Sequence, residues 1–421
     1  MIKSLFFLAL GFMFLSSSTS VEFGLQEFRM IAFSIVFISL LLVSFTRHPF
    51  INPANLELPI VLAWFLAIMA VLDLAGTMDP LDYKLVLPIL AIAAAPHVGK
   101  AMAPGDLPAW LFSAFSVYIL AVVILYLAGT GAAGPFAAAT RIDPTGSVVS
   151  LASAGTITAV LATGEARRAT GFRRIVPISM ALLALAAIFA TATRTAVATM
   201  VILGVLLLAT SSNRSRQLRN LIGAGFILAL LLAIHTIVFS DVYFLRLTGN
   251  NGDDYSSGRW HSLAHWLAVA ADSPLGQGIG SVREIMLDGR PGLSGGRFLE
   301  WPHNEFVRFY VEGGIPGLMM ISLLVGGMTV RALRSARKAT DPRLRMLVLA
   351  LAADMLAQSL LQNHFNMIYH SSMTMLILAM LTIPDARVSP RSGTADRLGK
   401  KDMNERGGSL CRTERNLPSM T

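Results

Sequence analysis

Three side chains in this sequence are of the types needed to handle a phosphorylated substrate. They are Arg194 in Thr193-Arg194-Thr195, Arg259 in Ser257-Gly258-Arg259-Trp260, and His303 in Trp301-Pro302-His303-Asn304-Glu305. A guanidinium fork grips phosphate oxygens through paired, charge-assisted hydrogen bonds, so two or three arginines converging on one place make a seat for phosphate or pyrophosphate. A histidine beside that seat is the natural group to take a proton from an attacking hydroxyl. Arg141, in Ala139-Thr140-Arg141-Ile142-Asp143-Pro144, is a further candidate for the seat.

The elements that must position these groups are membrane helices. The chain has 421 residues, 54% of them hydrophobic and only 14% charged, with a mean hydropathy of +0.62; soluble domains carry roughly 25% charge. Apolar runs fall at roughly 3–18, 30–46, 57–76, 84–97, 108–128, 147–163, 174–192, 194–210, 219–239, 304–330, 344–362 and 366–383. A span needs about 20 apolar residues, so these predict an all-α integral membrane fold of about twelve transmembrane helices. Assigned alternately from an inner N-terminus, the loops place 16 of the 34 Lys and Arg inside and 10 outside, with 8 in the tail. The short loops richest in arginine, around 167–174, 214–219 and 331–345, all fall inside, as the positive-inside rule requires. That rule, rather than nucleic acid, accounts for the net charge of +9.

One large loop, 240–302, is then left outside between the ninth and tenth spans. Arg259 opens a short amphipathic helix within it, where Trp260, Leu263 and Leu267 are spaced as one apolar stripe suited to rest on the membrane surface. Residues 1–383 read as a polytopic membrane domain, and 384–421 as a disordered basic cytoplasmic tail able to touch anionic lipid. The first 20 residues resemble a secretory signal, but the orientation works if they stay as an uncleaved first helix. The single cysteine, Cys411, lies in the tail and forms no internal disulfide.

On this topology Arg141, Arg194, Arg259 and His303 share the outer side. Nucleotide donors are confined to the cytoplasm, so a lipid-linked pyrophosphate sugar is the donor that fits. Plainer readings stand beside this one. Interface arginines often only snorkel or pair with headgroups, and His303-Asn304 could simply cap the tenth span, Asn being a favoured N-cap. Glu305, Arg308 and Glu312 share one helix face. Arg308 with Glu312 reads first as a structural ion pair, while Glu305 and Arg308 are retained as candidate substrate contacts.

Other features are weighed the same way. Gly313, Gly314 and Gly317 suit close helix packing. His261 and His265 have the spacing of a zinc pair but lack the intervening glutamate of metalloproteases and any third ligand, so no metal is expected. Gly276-Gln277-Gly278-Ile279-Gly280 reads as a turn rather than a dinucleotide loop, with no strand before it. His364 and His370 flank the last outer turn, and His364 is a candidate substrate contact. Asp73 and Asp354 fall within spans, where a carboxylate normally marks an ion or proton path; neither has an evident partner.

Several of these motifs together resemble the O-antigen ligase and polymerase family of bacterial inner-membrane glycosyltransferases. They are Arg194 in Thr-Arg-Thr-Ala, Gly258-Arg259-Trp260, Pro274-Leu275-Gly276-Gln277-Gly278-Ile279-Gly280, and His303-Asn304-Glu305 running into Val311-Glu312-Gly313-Gly314-Ile315-Pro316-Gly317-Leu318. The resemblance covers roughly residues 140 to 330. It implies about twelve helices, a large periplasmic loop between the ninth and tenth, and metal-independent, inverting transfer from an undecaprenyl pyrophosphate glycan without a cofactor. By position it implies that Arg194 and Arg259 hold the pyrophosphate and that His303 is the general base or acceptor-orienting group, with Arg141 a looser match.

Such enzymes differ in acceptor. A ligase places polysaccharide on lipid A core, and a polymerase joins lipid-linked repeat units. The His-Asn pair and the single dominant loop lean toward the ligase type, with an O-antigen or exopolysaccharide polymerase as the alternative. A precursor transporter or flippase is the alternative of another class. Asp354 would suit it, but such carriers usually show two related halves with a site near the midplane.

Overall fold

The computed structural model describes residues 1–14, 26–47, 86–102, 106–127, 148–191, 193–211, 218, 225, 259–287, 302–362 and 364–382. Arg141, Asp73, the apolar runs at 57–76 and 219–239, most of the 240–302 loop outside 259–287, and the tail with Cys411 lie outside them. The described residues contain no strand. In chain order the helices are α1 (Ile2–Phe14), α2 (Gln26–Arg47), α3 (Val86–Met102), α4 (Leu107–Leu127), α5 (Val148–Arg168), α6 (Ile175–Ala190), α7 (Arg194–Thr210), α8 (Arg259–Ala271), α9 (Ser281–Leu287), α10 (Glu305–Lys338), α11 (Pro342–Leu361) and α12 (Ile368–Thr382). A short 3-10 turn, Gly171–Arg174, leads into α6.

Apart from the two runs outside the described residues, each apolar stretch of the sequence is helical here. Among the described residues, four segments are long and apolar enough to cross a membrane: Leu107–Ile124, Gly171–Ile188, Glu305–Lys338 and Pro342–Leu361. The surface agrees with a membrane protein. Val197, Val201 and Val205 on α7, and Ile315, Met319 and Leu323 on α10, repeat every fourth residue and are exposed, a face that lipid rather than water would cover.

The sides of these helices that face one another are mostly small or apolar. α11 is central, packing against α5, α7, α10 and α12, while α12 leans on α3 and α1. Gly155 lets α5 approach α6 closely, since a Cβ there would meet Ile188 Cγ1 at 2.7 Å. In lipid, such close approach supplies the packing that water-driven burial cannot.

α7 and α10 run one way and α11 the other, so their termini sort to two ends. At one end Arg343 bridges Glu165 at 2.7 Å, Arg345 Nη2 donates to Thr210 O at 2.7 Å, and Arg337 Nη2 donates to Ala209 O at 3.2 Å. The arginine-bearing ends of α5, α10 and α11 thus meet there. With 20 residues in α11 and about 1.5 Å of rise each, the opposite end is about 30 Å away, the thickness of a bilayer core.

Candidate functional site

At that opposite end, three sequence-distant pieces are tied together by hydrogen bonds. Thr195, in the first turn of α7 and next to Arg194, accepts from Gln362 Nε2 at 2.9 Å. Asn304, next to His303, caps α10 by accepting from the Val307 N–H at 3.1 Å, and its Nδ2 donates to Leu360 O at 3.1 Å. Glu305 Oε1 accepts from the Phe365 N–H at 2.7 Å. The start of α7 and the start of α10 are therefore both fastened to the last turn of α11 and the bend after it. His303 sits at this junction, half-buried.

α8 is brought to the same place by its apolar face. Trp266, fully buried, and Ala270 pack with Val307 and Val311 of α10, with Leu263 and Val269 at the margin. The face that α8 buries in protein is Trp266 and Ala270, with Leu263 at its edge, so of the expected stripe Leu263 turns partly toward α10 while Leu267 stays 42% exposed. The side chain of Trp260 lies outside the described residues, as do those of Arg194, Arg259 and His261. His265 packs edge-on against Trp266, centroids 5.6 Å apart.

The backbone still says where the two arginines begin. Arg194 is the first residue of α7 and Arg259 the first of α8, while His303 precedes α10 by one cap residue. All three candidates stand at helix N-termini, where unpaired N–H groups and the macrodipole favour an anion.

The loop after α8 locks into α10. Gly314 has φ 61° and ψ −153°, which breaks the helix. The break frees two carbonyls: Val311 O accepts from the Gln277 N–H at 2.9 Å and Glu312 O from the Gly278 N–H at 3.1 Å, while the Ile315 N–H donates to Pro274 O at 2.8 Å. The 274–280 segment is thus a turn, as expected, with positive φ at Gly276, Gly278 and Gly280. The tenth span is two helical pieces, and Gly314 serves a loop rather than a neighbouring helix. Gly317 faces inward on its own chain, since a Cβ there would sit 2.2 Å from Phe309 O.

The remaining candidates lie beneath the surface. Arg308 pairs with Glu312 at 3.3 Å and Glu305 at 3.7 Å, all three at 2% exposure or less. This is the structural ion pair of the helix face, extended by one carboxylate. His364 is fully buried at the start of the 3-10 turn His364–Asn366, the bend after α11, its ring 5.7 Å from that of His370. Burial first, then the neighbouring His370, push the His364 imidazole down to about 3, against a smaller opposing pull from Asp354.

Beneath the bend is a group that the sequence did not pair. Asp354 Oδ2 and His370 Nε2 are 2.7 Å apart, with Ser153 Oγ 3.2 Å from the same nitrogen. Three separate helices supply these residues, so no spacing rule marks them; the sequence signals were an aspartate inside a span and a histidine beside the last outer turn, with nothing to join them.

The sequence model of the O-antigen ligase family matches residues 179–322, which supports the resemblance to O-antigen ligases and polymerases. The matched stretch runs from α6 through α7, α8 and the loop to just beyond Gly317. It thus holds Arg194, Arg259, His303, Glu305 and Arg308 but neither Asp354 nor His370. A search of curated proteins returns no match.

Proposed function

We propose that this chain is a membrane glycosyltransferase of the bacterial inner membrane that moves a glycan from undecaprenyl pyrophosphate onto a glycan acceptor, lipid A core in the ligase case, at the periplasmic face. The observation that carries the reading is the fastening of α7, α8 and α10 at the end opposite the arginine-rich loops. Arg194 and Arg259 are the first residues of two of those helices and His303 precedes the third, which supports reading the three as one site. The match to the O-antigen ligase family over the same elements supports it.

In this reading the acceptor hydroxyl attacks the anomeric carbon, its proton goes to His303, and the bond to the pyrophosphate oxygen breaks with inversion. Arg194 and Arg259, with the helix N-termini behind them, stabilise the charge that grows on the leaving pyrophosphate. The two guanidinium groups do what a metal ion does elsewhere, so the chemistry runs without metal or cofactor. Arg141 is a further guanidinium for the same seat. Glu305, Arg308 and His364 act from below: Glu305 holds the bend through Phe365, Arg308 neutralises Glu305 and Glu312, and His364 fills the bend.

His303→Ala and Arg259→Ala should leave the protein in the membrane but cut glycan transfer by about 10- to 150-fold, the value of one hydrogen bond to a charged group. The assay is release of undecaprenyl pyrophosphate by purified protein in liposomes, with an acceptor glycan present. Full activity in His303→Ala would remove its role, and glycan crossing the bilayer without bond cleavage would identify a carrier. Banding of lipopolysaccharide from a deletion strain then separates ligase, whose loss leaves bare core, from polymerase, whose loss leaves core with one repeat.

A further inference from the structure

The intramembrane pair Asp354–His370 has no part in the reaction just described, yet it is completely enclosed. Asp354 is 0% exposed and His370 2%. A charged carboxylate inside a span costs several kcal/mol unless it is paired, and such residues normally serve function. Ionised, the carboxylate can only accept, so the His370 Nε2–H donates to Asp354 Oδ2, with Ser153 Oγ close to the same hydrogen.

Two polar tracks lead from this pair to the junction. On α11, Asp354, Gln358 and Gln362 repeat every four residues on one face; Gln358 Nε2 lies 3.5 Å from Asp354 Oδ1, and Gln362 holds Thr195 beside Arg194. On the other side, His370 packs against His364, and the adjoining Phe365 N–H is held by Glu305, two residues from His303. The pair therefore lies about two helical turns, about 12 Å, below Gln362, and connects α5, α11 and α12 under both halves of the site.

We propose that Asp354 and His370, with Ser153, form a positioning unit: their hydrogen bond fixes the bend at His364–Asn366, and through Thr195 and Glu305 it sets Arg194 and His303 relative to each other. The unit touches no substrate, and its effect is on geometry. This rests on the transferase reading for its kinetic consequence but not for its structural one.

Removing His370 alone strands a buried charge, so the informative loss variant is the double substitution Asp354→Leu/His370→Leu, which removes the carboxylate and the imidazole together and takes a partner only from the neutral Ser153 hydroxyl and Gln358 amide. His370→Gln keeps an N–H donor for Asp354. Each is compared with wild type as full-length protein in liposomes, by kcat and KM for undecaprenyl pyrophosphate glycan and by hydrogen exchange of a peptide covering 362–367. The double variant is expected to melt as wild type does, to lose about 10- to 150-fold in kcat with little change in KM, and to exchange the Phe365 amide faster. His370→Gln is expected to recover most of both.

Unchanged exchange and unchanged kcat in the double variant would overturn the positioning role. So would His370→Gln as slow as the double variant but with a normally protected bend, since that points to a proton-exchanging histidine. If wild type releases no lipid pyrophosphate, the transferase reading fails, and the exchange data still decide this one: faster exchange in the double variant supports the unit, unchanged exchange ends it.

Discussion

Arg308 shows how a residue that looks like a ligand can serve as a support. Its guanidinium lies between Glu305 and Glu312, and all three are enclosed. Removing it leaves two carboxylates buried with their countercharge gone, which typically costs about 3–5 kcal/mol. Arg308→Ala should therefore lower the melting temperature in detergent far more than Glu305→Gln, whose amide oxygen still accepts from the Phe365 N–H. The i,i+4 spacing made the Arg308–Glu312 contact legible in advance, whereas Asp354 and His370 meet only because the chain reverses between them. His364 adds a pH dependence. Its folded value is about 3 against an ordinary 6.5, so between those limits the unfolded chain binds more protons and stability falls as pH drops. The facing groups are Asp354 on α11 and His370 on α12, with Glu305 of α10 on the adjoining Phe365 amide. His364→Phe should flatten the fall in melting temperature below about pH 6.5; an unchanged slope would assign the acid sensitivity elsewhere.

At the scale of elements, what matters is the insertion of the 274–280 turn into the break in α10. Helix positions were readable because lipid-facing segments must be long and apolar, and the described helices follow those runs closely. The break has one local signal, Pro316, whose missing N–H leaves Glu312 O without its helical donor, but what fills it was not readable. Gly313-Gly314 carries no periodicity that tells helix packing from loop packing, and the partner backbone lies some 40 residues upstream. On α8, Leu263, Leu267 and Trp266 permit two stripes, and only the presence of Val307 and Val311 selects the one with Trp266 for burial in protein. A Cβ on Gly276 would sit 2.5 Å from Glu312 O, and one on Gly314 2.2 Å from Pro274 O, both at positive φ. Gly276→Ala and Gly314→Ala should each release the loop, seen as faster proteolysis within 240–302 and loss of transfer. Gly326→Ala and Gly327→Ala, on the same helix with nothing within 4 Å, should gain about 0.5–1 kcal/mol of helix stability and change neither readout.

At the scale of the whole molecule the two ends of the bundle differ in chemistry, and under the positive-inside rule that difference argues for one orientation. Arg337, Arg343 and Arg345 are bound into one end by Ala209, Glu165 and Thr210, while the caps, the bend and the loop helix occupy the other. Because α10 and α11 are consecutive and antiparallel, the sidedness of this half does not depend on the runs at 57–76 and 219–239. The wild-type chain has one cysteine, Cys411, so it reports on its own tail. In spheroplasts a membrane-impermeant thiol reagent should label wild type only after permeabilisation. In a Cys411→Ser background, Asp272→Cys, exposed after α8, should label at once, and Thr170→Cys, exposed between α5 and α6, should not. The opposite pattern would put Arg194, Arg259 and His303 on the side where nucleotide sugars are available, and a lipid pyrophosphate donor would lose its rationale.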